Sequence, residues 1–233
     1  MTRTVLITGG TYGIGRAIAA KFAADHNVLR SYQKTKPSDD LEDQSNVLSY
    51  SCDLLQDGSA ENLVARAMDH FGRIDVIVNN AGLVRSTPIE SFDAEAHRQV
   101  FELNAIAPQA LLTAALPHLS AGAAIVNISS MNADLPPRGA ATYGASKAAL
   151  NLWTKAMAKE LGPQGIHVAH VIIDGAIDTA FVKERFPERY KLLEQDGLLQ
   201  PDDIAENYWN LHSQNRTAWT FEMDLRPWME KMA

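Results

Sequence analysis

The chain has 233 residues, 46% hydrophobic and 21% charged, an ordinary make-up for a globular protein long enough for one large core. Its net charge of −7, with no basic cluster, argues against nucleic acid or an anionic membrane surface as the main partner. The single cysteine, Cys52, excludes an intrachain disulfide framework and fits a reducing cytoplasm.

Met1 leads almost at once into Thr4-Val5-Leu6-Ile7, with no basic and then apolar leader, so no signal peptide is expected. No apolar run approaches the ~18–20 residues of a membrane span. The seven scattered histidines form no His-Glu-x-x-His pattern and no cysteines pair, so no metal site is expected.

Short apolar runs alternate with helical patterns along the chain. Strands are expected at Val5–Thr8, Asn27–Tyr32, Val47–Tyr50, Ile74–Asn79, Ala124–Ser129, His167–Ile173 and Ala218–Leu225. The first six lack clean alternation, as strands buried on both faces of a parallel sheet do. Helices are expected at Ile14–Asp25, Ser59–Phe71, Asp93–Leu119, Thr142–Leu161, Thr179–Gln195 and Pro201–Leu211. This order predicts an α/β fold, a Rossmann-like doubly wound parallel sheet flanked by helices, in a single domain over residues 1–233. The connection Gln33–Asn46 is polar and contains Pro37, so a helix there is short or absent. Ala218–Leu225 alternates strictly and reads as an amphipathic edge strand.

The turn after the first strand is Thr8-Gly9-Gly10-Thr11-Tyr12-Gly13-Ile14-Gly15. Glycines there permit a tight turn and bring backbone close to a pyrophosphate resting on the helix N-terminus, so Gly9, Thr11, Tyr12, Gly13, Ile14 and Gly15 are candidate cofactor contacts. A plain glycine-rich turn reads the same way, so position rather than spacing carries the argument. The acid expected about 20 residues later, for a ribose 2′-hydroxyl, is missing. Tyr32 stands roughly in its place, and Lys34 and Lys36 follow. The sign of that charge favours NADP(H), with NAD(H) still possible.

Tyr143 and Lys147 lie four apart on a helical pattern, hence on one face. A cation there lowers a phenol's pKa. Moving tyrosine from ~10 to neutrality needs about 4 kcal/mol, more than one lysine supplies, so a second positive charge is expected nearby. Taken alone, the pair reads more simply as an exposed tyrosine and lysine.

Together these segments resemble the classical short-chain dehydrogenase/reductase family over about residues 1–180. The resemblance rests on Thr8-Gly9-x-x-x-Gly13-x-Gly15, Cys52-Asp53-Leu54, Asn79-Asn80-Ala81-Gly82, Asn104, Ser130 thirteen residues before Tyr143, Tyr143-x-x-x-Lys147, and Asp174-Gly175-Ala176-Ile177-Asp178-Thr179. It implies Asn104, Ser130, Tyr143 and Lys147 as the catalytic set. Tyr143 would be general acid, and Ser130 would bond the substrate oxygen. Lys147 would lower the Tyr143 pKa and bond the nicotinamide ribose. Asn104 would bend its helix and hold a relaying water. It further implies cofactor contacts at Asp53, Leu54, Asn80, Ala81, Gly82, Gly175, Ile177 and Thr179. The activity implied is hydride transfer between nicotinamide and a small-molecule carbonyl or secondary alcohol.

Ser129 is the rival to Ser130, and Asp53 could instead be an N-cap. Asp174 replaces the usual Pro, which places a possible negative charge near the nicotinamide end. The frequent Gly-rich C-terminal ending is absent. A substrate lid is expected over about residues 179–200, with Lys183, Arg185 and Arg189 either meeting an anionic substrate or simply solvated. A homodimer or homotetramer is the default assembly. A non-catalytic dinucleotide sensor, or a same-fold dehydratase or epimerase, is the alternative.

Overall fold

The computed structural model describes residues 2–34 and 36–230. Seven parallel strands form one sheet in the order β3-β2-β1-β4-β5-β6-β7. They are β1 (Thr4–Ile7), β2 (Asn27–Tyr32), β3 (Val47–Ser51), β4 (Val76–Asn79), β5 (Ala124–Ser130), β6 (His167–Ile173) and β7 (Glu222–Leu225). The helices are α1 (Gly13–Ala23), α2 (Ser59–Phe71), α3 (Ala94–Phe101), α4 (Ala107–Ala115), α5 (Ala141–Leu161), α6 (Ala180–Arg185), α7 (Pro187–Tyr190) and α8 (Pro201–Ser213).

The strands lack alternation because both faces are covered. Val5 and Ile7 pack into one core with α1 and α8, while Leu6 between them packs into the other with α2 and α4. Val76, Val78 and Ile77 divide in the same way. The order reverses between β1 and β4, so the crevice above their C-terminal ends is the ligand position of an open α/β sheet.

Three predicted elements differ. The single helix expected over 93–119 breaks at a π-helical stretch, Glu102–Ile106. Pro108 lies four residues beyond Asn104 and has no N–H, so the Asn104 carbonyl lacks its α-helical donor. The helix expected over 179–195 divides at Phe186, because Pro187 starts a new turn.

The last strand begins at Glu222 rather than Ala218. The backbone of Thr220 is engaged elsewhere: its N–H donates to the Gln214 side chain at 2.7 Å and its carbonyl faces His167 Nε2 at 2.7 Å. Within that shorter strand Met223 and Leu225 pack on the core and Glu222 and Asp224 face outward, as an amphipathic edge strand requires. Among the described residues the β2–β3 connection contains turns and no helix. It is held by the fully buried Arg30, whose guanidinium pairs with Asp39 at 2.6 Å and Glu42 at 3.0 Å.

Candidate active site

The glycine turn is tied down from two sides. Asn80 Nδ2 donates to the carbonyls of Thr8 (2.9 Å) and Gly9 (2.8 Å), and the Thr8 hydroxyl accepts from the N–H groups of Asn80 and Ala81. Ser31 holds the other side, its hydroxyl and carbonyl accepting from Gly9 N and Gly10 N. Gly9 (φ 63°) and Gly13 (φ 52°) adopt left-handed backbone. A Cβ on Gly15 would fall 2.2 Å from the Gly9 carbonyl, so no other residue fits there. α1 starts at this turn with no side-chain cap and no acid in its first turn, leaving its N–H groups free for an anion.

A cleft of about 810 Å³ runs over the turn. Tyr32, Lys34, Asp53 and Leu54 line one end; Gly9, Tyr12, Gly13 and Ile14 face Asn80, Ala81 and Gly82 in the middle; Ile177, Thr179 and Phe181 close the other. Thr11, Gly15 and Gly175 do not line it. Thr11 lies in the turn and Gly15 below it. Gly175 (φ 142°) packs under the C-terminal segment, where a Cβ would meet Pro227 Cδ at 2.7 Å.

Asp53 is not the N-cap of α2, a place taken by Gly58. Its carboxylate accepts from Leu55 N at 3.1 Å at the cleft wall. Lys36 does not line the cleft: its ammonium is 3.4 Å from Glu42, which leaves Lys34 as the cation of that end. Cys52 is half-buried at the wall, and burial followed by the Asp53 charge raises its pKa, so it stays a thiol.

At the other side of the crevice stand Ser130, Tyr143, Lys147 and Asn104. Ser130 ends β5, its hydroxyl accepting from Asn132 N at 3.2 Å. Ser129 points the opposite way, to Asn151 Oδ1 at 2.5 Å, and is buried, whereas the Ser130 hydroxyl lies against the Tyr143 phenol. Tyr143 and Lys147 share one face of α5, with Nζ 6.0 Å from the phenol ring centre.

The expected effect of Lys147 on the phenol is absent. Burial pushes the Tyr143 pKa up, and the neighbouring Ser130 hydroxyl pulls it back only in part. Lys147 Nζ instead donates to the Ile128 carbonyl at 2.8 Å, and burial pushes its own pKa down to about 8. Desolvation is the main cause for Tyr143 and the sole one for Lys147.

Asn104 is fully buried in the π-helical stretch. Its side chain accepts from Leu83 N at 2.7 Å and donates to Leu83 O and Ser146 Oγ, each at 3.0 Å, which engages both amide protons. Its backbone carbonyl receives no N–H from Pro108, four residues on. A Cβ on Gly82 would lie 3.4 Å from Asn104 Oδ1 and 3.8 Å from Lys147 Nζ. Through that glycine the catalytic candidates meet the cleft.

Asp174 turns away from the cleft. Its carboxylate lies 3.4 Å from Arg226 and its N–H donates to the Leu225 carbonyl at 2.9 Å, a bond proline could not make. Burial raises its pKa, the Arg226 charge opposing. In the segment from α6 to α7, Arg189 pairs with Glu230 at 2.9 Å and Lys183 lies over the Tyr190 ring at 5.6 Å.

Ser31, Gln33, Leu55, Gln99 and Leu103 line the cleft without having been singled out from sequence. Ser31 and Gln33 flank Tyr32. Gln99 and Leu103 stand four apart before Asn104, a helical spacing that marks one face.

A family model described as short chain dehydrogenase matches residues 3–190. An uncharacterized oxidoreductase of Methylorubrum extorquens is 33% identical over 218 residues, covering 87% of both chains. The NADPH-dependent aldehyde reductase 1, chloroplastic, of Arabidopsis thaliana is 31% identical, covering 88% of this chain and 78% of that one. A short chain dehydrogenase from Burkholderia cenocepacia J2315, solved in complex with NADP, superposes with a TM-score of 0.84 at 28% identity and 96% coverage of each chain. With the motifs in one crevice of one sheet, and with these matches over most of its length, the chain belongs to the short-chain dehydrogenase/reductase family.

Proposed function

We propose that the protein is an oxidoreductase that moves a hydride between a nicotinamide cofactor, NADP(H) in preference to NAD(H), and the carbonyl or secondary alcohol of a small molecule. The observation that carries this is Lys147 reaching the edge of the large cleft at Gly82, with Tyr143 on the same helix face and the Ser130 hydroxyl against the phenol. The residues present fit a dinucleotide: the uncapped α1 N-terminus and the crowding at Gly15 make a cradle for a pyrophosphate, and Lys34 supplies a cation for a 2′-phosphate. The NADP named for the Burkholderia structure supports the same choice.

When bound, nicotinamide supplies or accepts the hydride and, oxidised, places a positive charge beside the phenol. Tyr143 gives its Oη proton to the substrate oxygen in reduction, as general acid. The Ser130 hydroxyl donates to that same oxygen as charge develops on it. Lys147, its pKa lowered by burial to about 8, would exchange protons near neutral pH and would bond the cofactor's ribose. A water on the Asn104 carbonyl connects it to solvent.

We further read residues 1–233 as one working unit with a lid over about 179–200, acting in the cytoplasm as a homodimer or homotetramer. No described helix is long and apolar enough to cross a membrane.

Tyr143→Phe tests the reading. Turnover of an identified ketone is expected to fall by about 10²–10⁴, with NADPH affinity retained. Full turnover by the variant would remove Tyr143 from the mechanism.

A further inference from the structure

A second cleft, of about 370 Å³, opens beside the first and shares Val84 and Arg85 with it. Two arginines line it, Arg85 from the segment after β4 and Arg185 from the end of α6 in the lid. Among the described residues neither pairs with a carboxylate. Arg85 donates only to the neutral Gln99 Oε1, at 2.9 Å, and Arg185 has no ion pair or side-chain hydrogen bond.

The nearby acids are engaged elsewhere. Asp93, which also lines the cleft, accepts from the N–H groups of Glu95 and Ala96 at 3.0 Å, and Glu90 pairs with Arg138 at 2.9 Å. Ser86, Ser91 and Thr87 add hydroxyls. Thr87 is 6% exposed, and its Oγ1 has no partner among the described residues. In a chain of net charge −7 this is a local excess of positive charge.

Large apolar side chains stand bare next in sequence to the lining residues Pro88, Ser91, Asp93 and Arg185, and on the first turn of α6. Ile89 and Phe92 are 94% and 77% exposed on the loop after β4, and Phe181 and Phe186 are exposed on the lid. Large apolar side chains left bare on both sides of a basic cleft mark a binding surface rather than chance exposure.

We propose that this cleft holds the anionic head of the substrate, a carboxylate or phosphate monoester at the end of an apolar body. The substrate carbonyl then lies toward Tyr143 and its apolar body against Val84, Phe92 and Phe181. Guanidinium forks bind such oxyanions in two-pronged fashion. Because one arginine comes from the lid and one from the opposite wall, the anion also draws the lid closed. This substrate class rests on the reductase reading above.

The test compares methyl-ketone carboxylates of increasing chain length with their methyl esters. At the best length the acid is expected to have a kcat/KM at least about tenfold above its ester's. That ratio falls toward one in Arg185→Met and in the R85M/R185M double variant. Equal values for acid and ester in the wild type, or a ratio untouched in the variants, overturns the proposal.

A separate titration keeps the two readings apart. Octanoate should bind the NADPH-loaded protein more tightly than octanamide, and R85M/R185M should remove the difference. If that holds while no ketone is turned over, the reductase reading fails and the anion site stands. If octanoate and octanamide bind alike, the anion site fails whatever the turnover. Replacing octanoate by octyl phosphate shows which oxyanion binds more tightly.

Discussion

Asn104 and Leu83 hold one another by two hydrogen bonds, Leu83 N–H to Oδ1 at 2.7 Å and Nδ2 to the Leu83 carbonyl at 3.0 Å. The second Nδ2 proton goes to Ser146 Oγ, which in turn donates to the Tyr143 carbonyl at 2.7 Å. One buried amide thus fastens the cleft wall after β4 to the first turns of α5. Asn104→Leu leaves three polar partners short of a hydrogen bond. A stability loss of about 2–4 kcal/mol is expected in chemical denaturation. Asn104→Asp should lose less, because it keeps the acceptor for Leu83 N. Equal midpoints for the wild type and Asn104→Leu would contradict this account.

Lys34 lines the cleft, while Lys36 is 70% exposed at its side chain and faces Glu42. Lys34→Glu should therefore lower the NADPH-to-NADH affinity ratio by about tenfold or more. Lys36→Glu should change it little. Fluorescence titration with both cofactors measures the ratio, and an unchanged value in Lys34→Glu removes the lysine from cofactor selection.

His212 sits among Phe22, His26 and Trp209 under α1 and α8. Burial, partly offset by the Trp209 carbonyl and aided by the Arg3 and His26 charges, pushes its pKa from 6.5 down to about 4. The native state thus holds a neutral ring where the unfolded chain binds a proton. Stability from this group is present above about pH 6.5 and is lost as the pH falls toward about 4. The order of magnitude is 3 kcal/mol. His212→Phe should flatten the acid limb of the stability–pH curve between those values. A limb as steep as the wild type's would place the acid sensitivity elsewhere.

On α5, Leu152 is 68% exposed, and Ala145 beside it is also bare. An apolar helix face of this kind suits a two-fold pairing of identical chains. Light scattering is expected to give a dimer or tetramer for the wild type and a smaller species for Leu152→Glu. A wild-type monomer at micromolar concentration would count against the proposed assembly.

The order of strands and helices was legible in the sequence because local pattern decides it. Strands covered on both faces read as largely apolar runs, and the strands Asn27–Tyr32 and His167–Ile173 and the helix Ser59–Phe71 appear with the expected bounds. The break at Glu102–Ile106 carried a signal that spacing alone did not use, Pro108 four residues beyond Asn104. A count of residues favoured Ser130 over Ser129, and in the structure the two face opposite sides, as successive residues of a strand do.

What tertiary structure alone decided is where each charge ends up. Lys36, Arg189 and Asp174 read as free charges near the crevice, yet each lies against a partner distant in sequence: Glu42, Glu230 and Arg226. The same holds for Tyr143 and Lys147. Their i, i+4 spacing put them on one face, but burial, which no spacing encodes, raised the pKa of one and lowered that of the other. Sequence by itself determined which groups meet on an element. Folding determined how much water each one keeps, and an ionisable group's chemistry depends on that water.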